Sequence, residues 1–300
     1  MTATPPTAQD DGDPVDRLLS LLSIERLDRD LFRARSGIAS PRRRIFGGQV
    51  IAQALMAACR TVEGRRCHSL HAYFLRPGDP SIPVIYEVDR VRDGGSFTTR
   101  QVSAVQNGAQ IFNLAASFQA DEESPVVHHP LPFAPPDPDT MPDRDTARRA
   151  AAAGLPPEWA EDYARPSAIE LREIDPIDPA DPSPASDRNA AWFRVSRPAG
   201  GDDHLQQCLM AYATDMKLLA SALRPLGRSI LSPEVMPASL DHAIWFHQKI
   251  DFDHWHLYVM DSPFTGGARG FNRGSIFRQD GALVASVAQE GLLRPIVPRG

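Results

Sequence analysis

The stretch VIAQALMAACRTV, Val50 to Val62, is apolar almost all the way round a 3.6-residue helix. That pattern belongs to a helix enclosed by other elements rather than laid on a surface. Before it stands Ile45-Phe46-Gly47-Gly48-Gln49, after the basic run Arg42-Arg43-Arg44. The two glycines let the backbone come close to a group at the helix N-terminus, where free N–H groups favour an oxyanion or phosphate; by itself the signal is weak, because such a pair is often only a turn. After the helix the pattern changes to strands at Ser69–Leu75, Ile82–Arg92, Ser96–Gln106 and Ala109–Phe118. Asn107-Gly108 between two alternating runs signals a tight hairpin. An enclosed helix followed by an antiparallel meander predicts a sheet wrapped around that helix, an α+β fold.

The same order then recurs. Short strands at Ala168–Ile174 and Ala191–Arg197 precede DHLQQCLMAYATDMKLLASAL, Asp203 to Leu223, read as a second central helix. Leu209-Met210-Ala211 matches Leu55-Met56-Ala57, Ser239-Leu240 matches Ser69-Leu70, Gly266-Gly267 matches Gly94-Gly95, and Asp280-Gly281 matches Asn107-Gly108. A shared order with drifting offsets is the signature of a duplicated unit. The chain divides on this reading into a disordered tail (1–14), a first unit (15–120), a linker rich in Pro and Asp (121–166) and a second unit (167–300). A short helix is expected near Arg144–Ala153.

The copies differ where chemistry would sit. In the second helix Leu205, Cys208, Leu209, Tyr212, Met216 and Leu219 share an arc, with Gln206, Thr214 and Lys217 opposite and Asp215 on the apolar flank. Aligned on the hairpin glycines, Gln289 takes an inward position that is Ala116 in the first copy; aligned on the helices, Asp215 takes the place of Thr61. A carboxylate and an amide on inward faces lose hydration unless they are bonded or used. Either they satisfy each other in the core, or they form a site.

The remaining features bound the answer. Net charge is −6, which argues against nucleic-acid binding. Cys59, Cys67 and Cys208 show no paired spacing, so reduced thiols and a cytoplasmic protein are expected. The N-terminus lacks the features of a signal peptide, and no window suits a membrane span. His128-His129, and the pair His254 and His256, are read as solvated or structural rather than metal-binding, since no third ligand presents itself.

Together, several motifs make the chain resemble the acyl-CoA thioesterase II family of double hotdog enzymes. They are Phe46-Gly47-Gly48-Gln49 with Ala52-Gln53-Ala54, His68 to Leu75, Tyr212-Ala213-Thr214-Asp215, Ser239-Leu240-Asp241-His242 with Trp245-Phe246-His247, Ala268-Arg269-Gly270, and Asp280-Gly281 through to Gln289-Glu290-Gly291. The resemblance covers residues 17–120 and 167–296. It implies two tandem hotdog units and hydrolysis of acyl-CoA to free fatty acid and CoA, in fatty acid metabolism. It also implies no cofactor, no metal, no stable membrane association and a homo-oligomer, a dimer or dimer of dimers. Its water-binding Asp, Thr or Ser, and Gln map onto Asp215, Ser239 and Gln289, with Ser here where the family often has Thr. Asp215 is then expected to act as general base, with a covalent role as the alternative. Donors for the thioester oxygen are sought at Gly47, Gly48 and Gln49 or at the start of the Asp203 helix. Arg42–Arg44 are read as a solvated loop, with contact to the CoA phosphates as the alternative, Arg269 as orienting a strand end or a phosphate, and His242 and His247 as packing near the site. Two other readings stand beside this one: a hydratase-type hotdog enzyme, which needs a His paired with the acid, and a non-catalytic acyl-CoA binder.

Overall fold

The computed structural model describes residues 12–35, 44–142 and 144–296. The first enclosed helix, α2 (Gly47–Cys59), is buried along its whole length from Gly48 onward. It follows a short amphipathic helix α1 (Pro14–Leu22) and the strands β1 (Glu25–Asp28) and β2 (Leu31–Ala34). Four longer strands come next: β3 (Arg66–Phe74), β4 (Val84–Asp93), β5 (Phe97–Gln106) and β6 (Ala109–Gln119). Their burial alternates because one face lies on α2 and the other does not. The β5–β6 turn takes positive φ at Asn107 (48°) and Gly108 (73°), the conformation that Asn-Gly adopts at little cost.

The second set repeats this order with β7 (Ile169–Glu173), β8 (Asn189–Val195), helix α5 (Asp203–Thr214), β9 (Val235–Ser239), β10 (Asp241–Phe246), β11 (His256–Gly266), β12 (Arg269–Arg278) and β13 (Leu283–Pro295). The two sets fuse edge to edge. β3 pairs antiparallel with β10, Leu70 opposite Ile244, giving a sheet ordered β1-β2-β4-β5-β6-β3-β10-β13-β12-β11-β8-β7, with β9 paired to β13. The helices α2 and α5 pack against each other inside it, and their buried residues share one apolar cluster. This is the double hotdog arrangement.

Between the sets the chain forms α3 (Arg144–Ala152), where a short helix was expected, and α4 (Pro157–Ala164), which the proline-rich composition concealed. Pro at its first positions suits a helix start, because the missing N–H is unused there. Residues 1–11 of the expected tail lie outside the described residues, while Pro14 already opens α1 with Asp13 as its cap.

Three expectations need correction. The second helix ends at Thr214, not Leu223: Asp215 is its C-cap (φ −80°, ψ −7°), and Leu218–Ala222 form a 3₁₀ turn that packs on β11 and β12. A continued helix would carry buried Leu218 and Ala222 off that surface. Gln206 and Thr214, placed on the outer arc, are buried. Each has partners: Gln206 bonds the Gly200 carbonyl and the Phe252 N–H, and Thr214 bonds the Ala211 carbonyl. Finally, Ser239 pairs with Gly291, and the hairpin equivalence puts Gly291 at Phe118, which pairs with Cys67. Ser239 therefore stands at the place of Cys67 rather than Ser69. The strands are interrupted at Leu240 and bulge beside His68, and these irregularities shift the apparent match.

Candidate active site

Ending α5 at Thr214 aims the next side chain into the space between α2, β9 and β13. The Asp215 side chain is 4% exposed there. Its Oδ1 accepts hydrogen bonds from Gln289 Nε2 at 2.6 Å and Ser239 Oγ at 3.1 Å, and Gln289 Nε2 also lies 3.0 Å from Ser239 Oγ. Residues from three elements far apart in sequence thus meet at one carboxylate. Gln289 is fully buried, and its Oε1 has no hydrogen-bond partner among the described residues. A buried amide oxygen in that state is open to a donor.

Burial raises the Asp215 pKa from 3.8 to about 6. The hydrogen bonds from Gln289, Ser239 and the Gly48 N–H pull the other way, as does the Arg44 charge, but dehydration outweighs them. A carboxylate with a pKa near 6 is a stronger base than a solvated one and is still mostly ionised at pH 7.

The paired glycines are explained by this carboxylate. A Cβ on Gly47 would lie 2.5 Å from Asp215 Oδ2, and one on Gly48 would fall on the Tyr212 carbonyl oxygen. Only glycine lets the first turn of α2 come so near the end of α5. Phe46 closes the contact edge-on against Tyr212, ring centroids 5.1 Å apart. Gln49 is buried and its Nε2 is without a partner among the described residues. The start of α5, by contrast, is a helix length away from Asp215, about 18 Å for twelve residues, and cannot supply donors at this carboxylate.

Other expected participants fall as follows. Arg42 and Arg43 lie outside the described residues. Arg44 donates to the Pro237 carbonyl at 2.7 Å, two residues before Ser239, and its charge acts on Asp215. Arg269 is not brought to the carboxylate: it is about half exposed and ion-paired with Glu290 at 2.8 Å. His247 bonds Ser286 Oγ away from the site. His254 is exposed and pairs with Asp251, whereas His256 is buried on the His254 carbonyl. Among the described residues no three metal-ligating side chains cluster.

His242 is the neighbour that sequence reasoning left in the background. Its Nε2 lies 3.0 Å from Thr214 Oγ1, and its Nδ1 lies 4.0 Å from Asp215 Oδ1. Thr214 Oγ1 donates to the Ala211 carbonyl, so it accepts from His242, which puts the ring proton on Nε2 and leaves Nδ1 as a lone pair. Complete burial lowers the His242 pKa to about 3, so the ring is neutral at pH 7. Alternation on β10 carried the signal, since it turns His242 inward with Ile244 and Phe246.

Known proteins resemble this chain over nearly its full length. A family described as "Acyl-CoA thioesterase" matches residues 183–292, and one described as "Acyl-CoA thioesterase N-terminal domain" matches residues 36–119. The chain is 39% identical to human acyl-coenzyme A thioesterase 8, over 95% of this chain and 92% of that protein. It is 36% identical to acyl-CoA thioesterase 2 of Haemophilus influenzae, over 94% and 99%. Among solved structures, an acyl-CoA thioesterase II of Mycobacterium marinum superposes with a TM-score of 0.73 at 36% identity, covering 95% of this chain and all of that one.

Proposed function

Because this chain belongs to the acyl-CoA thioesterase family, we propose that it hydrolyses acyl-CoA thioesters with a water held by Asp215, Ser239 and Gln289. The observation that carries this reading is the buried carboxylate bonded to both partners, beside an uncommitted amide oxygen. A water in that corner donates to Asp215 and to Gln289 Oε1, which turns its lone pair outward to the thioester carbon. As the water oxygen bonds to that carbon, Asp215 takes its proton. The carbonyl oxygen becomes negative and is received by the Gly47 N–H at the first turn of α2, since the Gly48 N–H already bonds Asp215 and those of Gln49 and Val50 bond the Phe46 carbonyl. When the tetrahedral species collapses the C–S bond breaks, and the proton on Asp215 goes to the departing CoA sulfur. Free acid and CoA thiol result.

The state of His242 favours thioester hydrolysis over a His–acid hydratase mechanism. His242 does stand beside Asp215, but it is fully buried and its Nε2–H is held by Thr214. The cytoplasmic location and homo-oligomeric assembly expected from the sequence belong to this proposal too; no helix among the described residues is long and apolar enough to cross a membrane.

The test is release of CoA thiol over a series of acyl-CoA chain lengths, for the wild type and Asp215→Asn. A general base predicts a loss on the order of 10²–10⁴ in rate. An Asp215→Asn variant with near wild-type turnover overturns the assignment. Single-turnover hydrolysis in heavy-oxygen water separates the base from a nucleophile, since only a covalent route labels Asp215.

A further inference from the structure

The first unit holds a cavity at the place that corresponds to the Asp215 site, and its lining is of opposite charge. Thr61 matches Asp215 when the two helices are aligned, and stands just past Arg60, the C-cap of α2, as Asp215 is the C-cap of α5. Arg100 lies opposite Ala116 in the β5–β6 register as Asn272 lies opposite Gln289 in β12–β13. Beside Thr61 and Arg100 opens a cavity of about 560 Å³ to which Arg26, Arg29, Arg60, Arg65, Arg90 and Arg100 all contribute. Against these six guanidiniums stand the carboxylates of Asp93 and Glu63 in the lining and Asp30, which pairs with Arg90. Six positive and three negative groups leave three charges over, in a chain whose net charge is −6.

We propose that this cavity binds an anion bearing a diphosphate group, apart from the hydrolytic site. Two of the arginines are fixed in place. Arg100, 1% exposed, is held by Thr61 and by Asp93 at 2.6 Å. Arg65 donates to Thr98 and to the Gly94 and Gly95 carbonyls, contacts that orient its charge without cancelling it. Arg29 and Arg60 are exposed and open to a ligand: Arg29 reaches only Asp30 at 4.0 Å, and the Arg60 guanidinium makes no hydrogen bond or ion pair among the described residues. Fixed guanidiniums with free ones at the rim make a site for phosphate oxygens, which Arg engages in pairs. The volume exceeds what one phosphate fills, and the charged lining excludes an acyl chain. The cavity opens at the C-terminal end of α2, about 18 Å from the Gly47–Gly48 turn by helix rise, so it is a different place in the fold from the hydrolytic carboxylate.

The experiment is isothermal titration of the full chain with inorganic pyrophosphate, ADP and adenosine at low salt, repeated with an Arg29→Ala/Arg60→Ala variant. The expected result is saturable one-to-one binding of pyrophosphate, weakened by salt and by about tenfold or more in the variant. Adenosine does not bind, and thiol release without added anion is unchanged in the variant. Tighter binding of ADP than of pyrophosphate identifies a nucleotide as the source of the diphosphate; equal affinities identify the free anion. Absence of saturable binding, or equal binding by the variant, overturns the proposal. So does displacement of pyrophosphate by a non-hydrolysable acyl-CoA thioether, which would place the anion in the hydrolytic site. None of these outcomes depends on whether Asp215 is the base.

Discussion

Replacing Asp215 by Asn should slow hydrolysis while making the folded protein more stable at neutral pH, with a pH dependence of defined sign. In the unfolded chain the carboxyl titrates at its ordinary value of 3.8; in the folded one it titrates at about 6. The folded state therefore holds the proton more tightly, so stability from this group is fully present below pH 3.8 and is lost as pH rises through 6. The difference corresponds to about 3 kcal/mol, of which about 2 kcal/mol falls between pH 4.5 and 7.5. Asparagine cannot ionise and lacks this penalty, but its amide N–H₂ would face the Gly48 N–H, at a cost of about 1 kcal/mol. The constant cost shifts the whole curve and leaves the slope intact. The measurement is the urea midpoint of both proteins at pH 4.5, 6 and 7.5. The variant should gain about 2 kcal/mol relative to the wild type across that range. His242 and His256, whose burial holds them neutral, impose the opposite slope on both proteins. A stability difference that does not change with pH, or one that favours the wild type increasingly at high pH, would refute the dehydrated carboxylate.

Substitutions at three further positions test the neighbours of that group. Gln289→Ala removes the hydrogen bond that most opposes the rise of the Asp215 pKa, so the acidic limb of kcat/KM against pH should move upward, on top of a fall in rate. An unmoved limb would mean that another group titrates there. Ser239→Ala should lower kcat by about 10–100-fold with little change in stability, whereas Ser239→Thr keeps the hydroxyl and should stay near wild type; thiol release measures both. Gly48→Ala places a methyl on the Tyr212 carbonyl and should cost about 1–3 kcal/mol in the urea midpoint, with most activity lost.

The legible part of this molecule was the part with a local cause. An all-round apolar Val50–Val62 states its own burial, and Asn107-Gly108 states its own turn. The bounds of the four long strands of the first unit fall within three residues of the expected ones, because alternation follows directly from having one covered face. Asp215 and Gln289 were visible because duplication supplies an internal reference: polar residues in one copy met Thr61 and Ala116 in the other. Ser239 needed the family resemblance, since a break at Leu240 shifts its register by two and alternation cannot see such a break. The helix end at Thr214 was hidden because Met216 to Leu223 continue the apolar pattern while packing as a 3₁₀ turn. The arginine cavity was invisible in principle. Its residues are scattered from Arg26 to Arg100, on different elements, and none of them is unusual alone.

The same comparison shows what keeps the dehydrated carboxylate of one copy apart from the arginines of the other. A guanidinium at Asn272 would face the corner of Asp215 as Arg100 faces Thr61. An opposite charge at that range lowers a carboxyl pKa, by about 1–3 units for a close pair, and would cancel the rise that burial produces. Asp215 would then be a well-satisfied ion pair and a poor base. Asn272 instead spends its side chain on the backbone, accepting from the Ala222 N–H at 3.1 Å and donating to the Gly270 and Gln289 carbonyls. It thereby secures the 3₁₀ turn after Asp215 and the strand that carries Gln289, without bringing charge. In the first copy Thr61 needs no such restraint, and Arg100 is free to anchor a cationic cavity. Duplication with divergence at these few inward positions therefore separates two environments that a single site could not combine, a dehydrated carboxylate and a cluster of guanidiniums at opposite ends of α2.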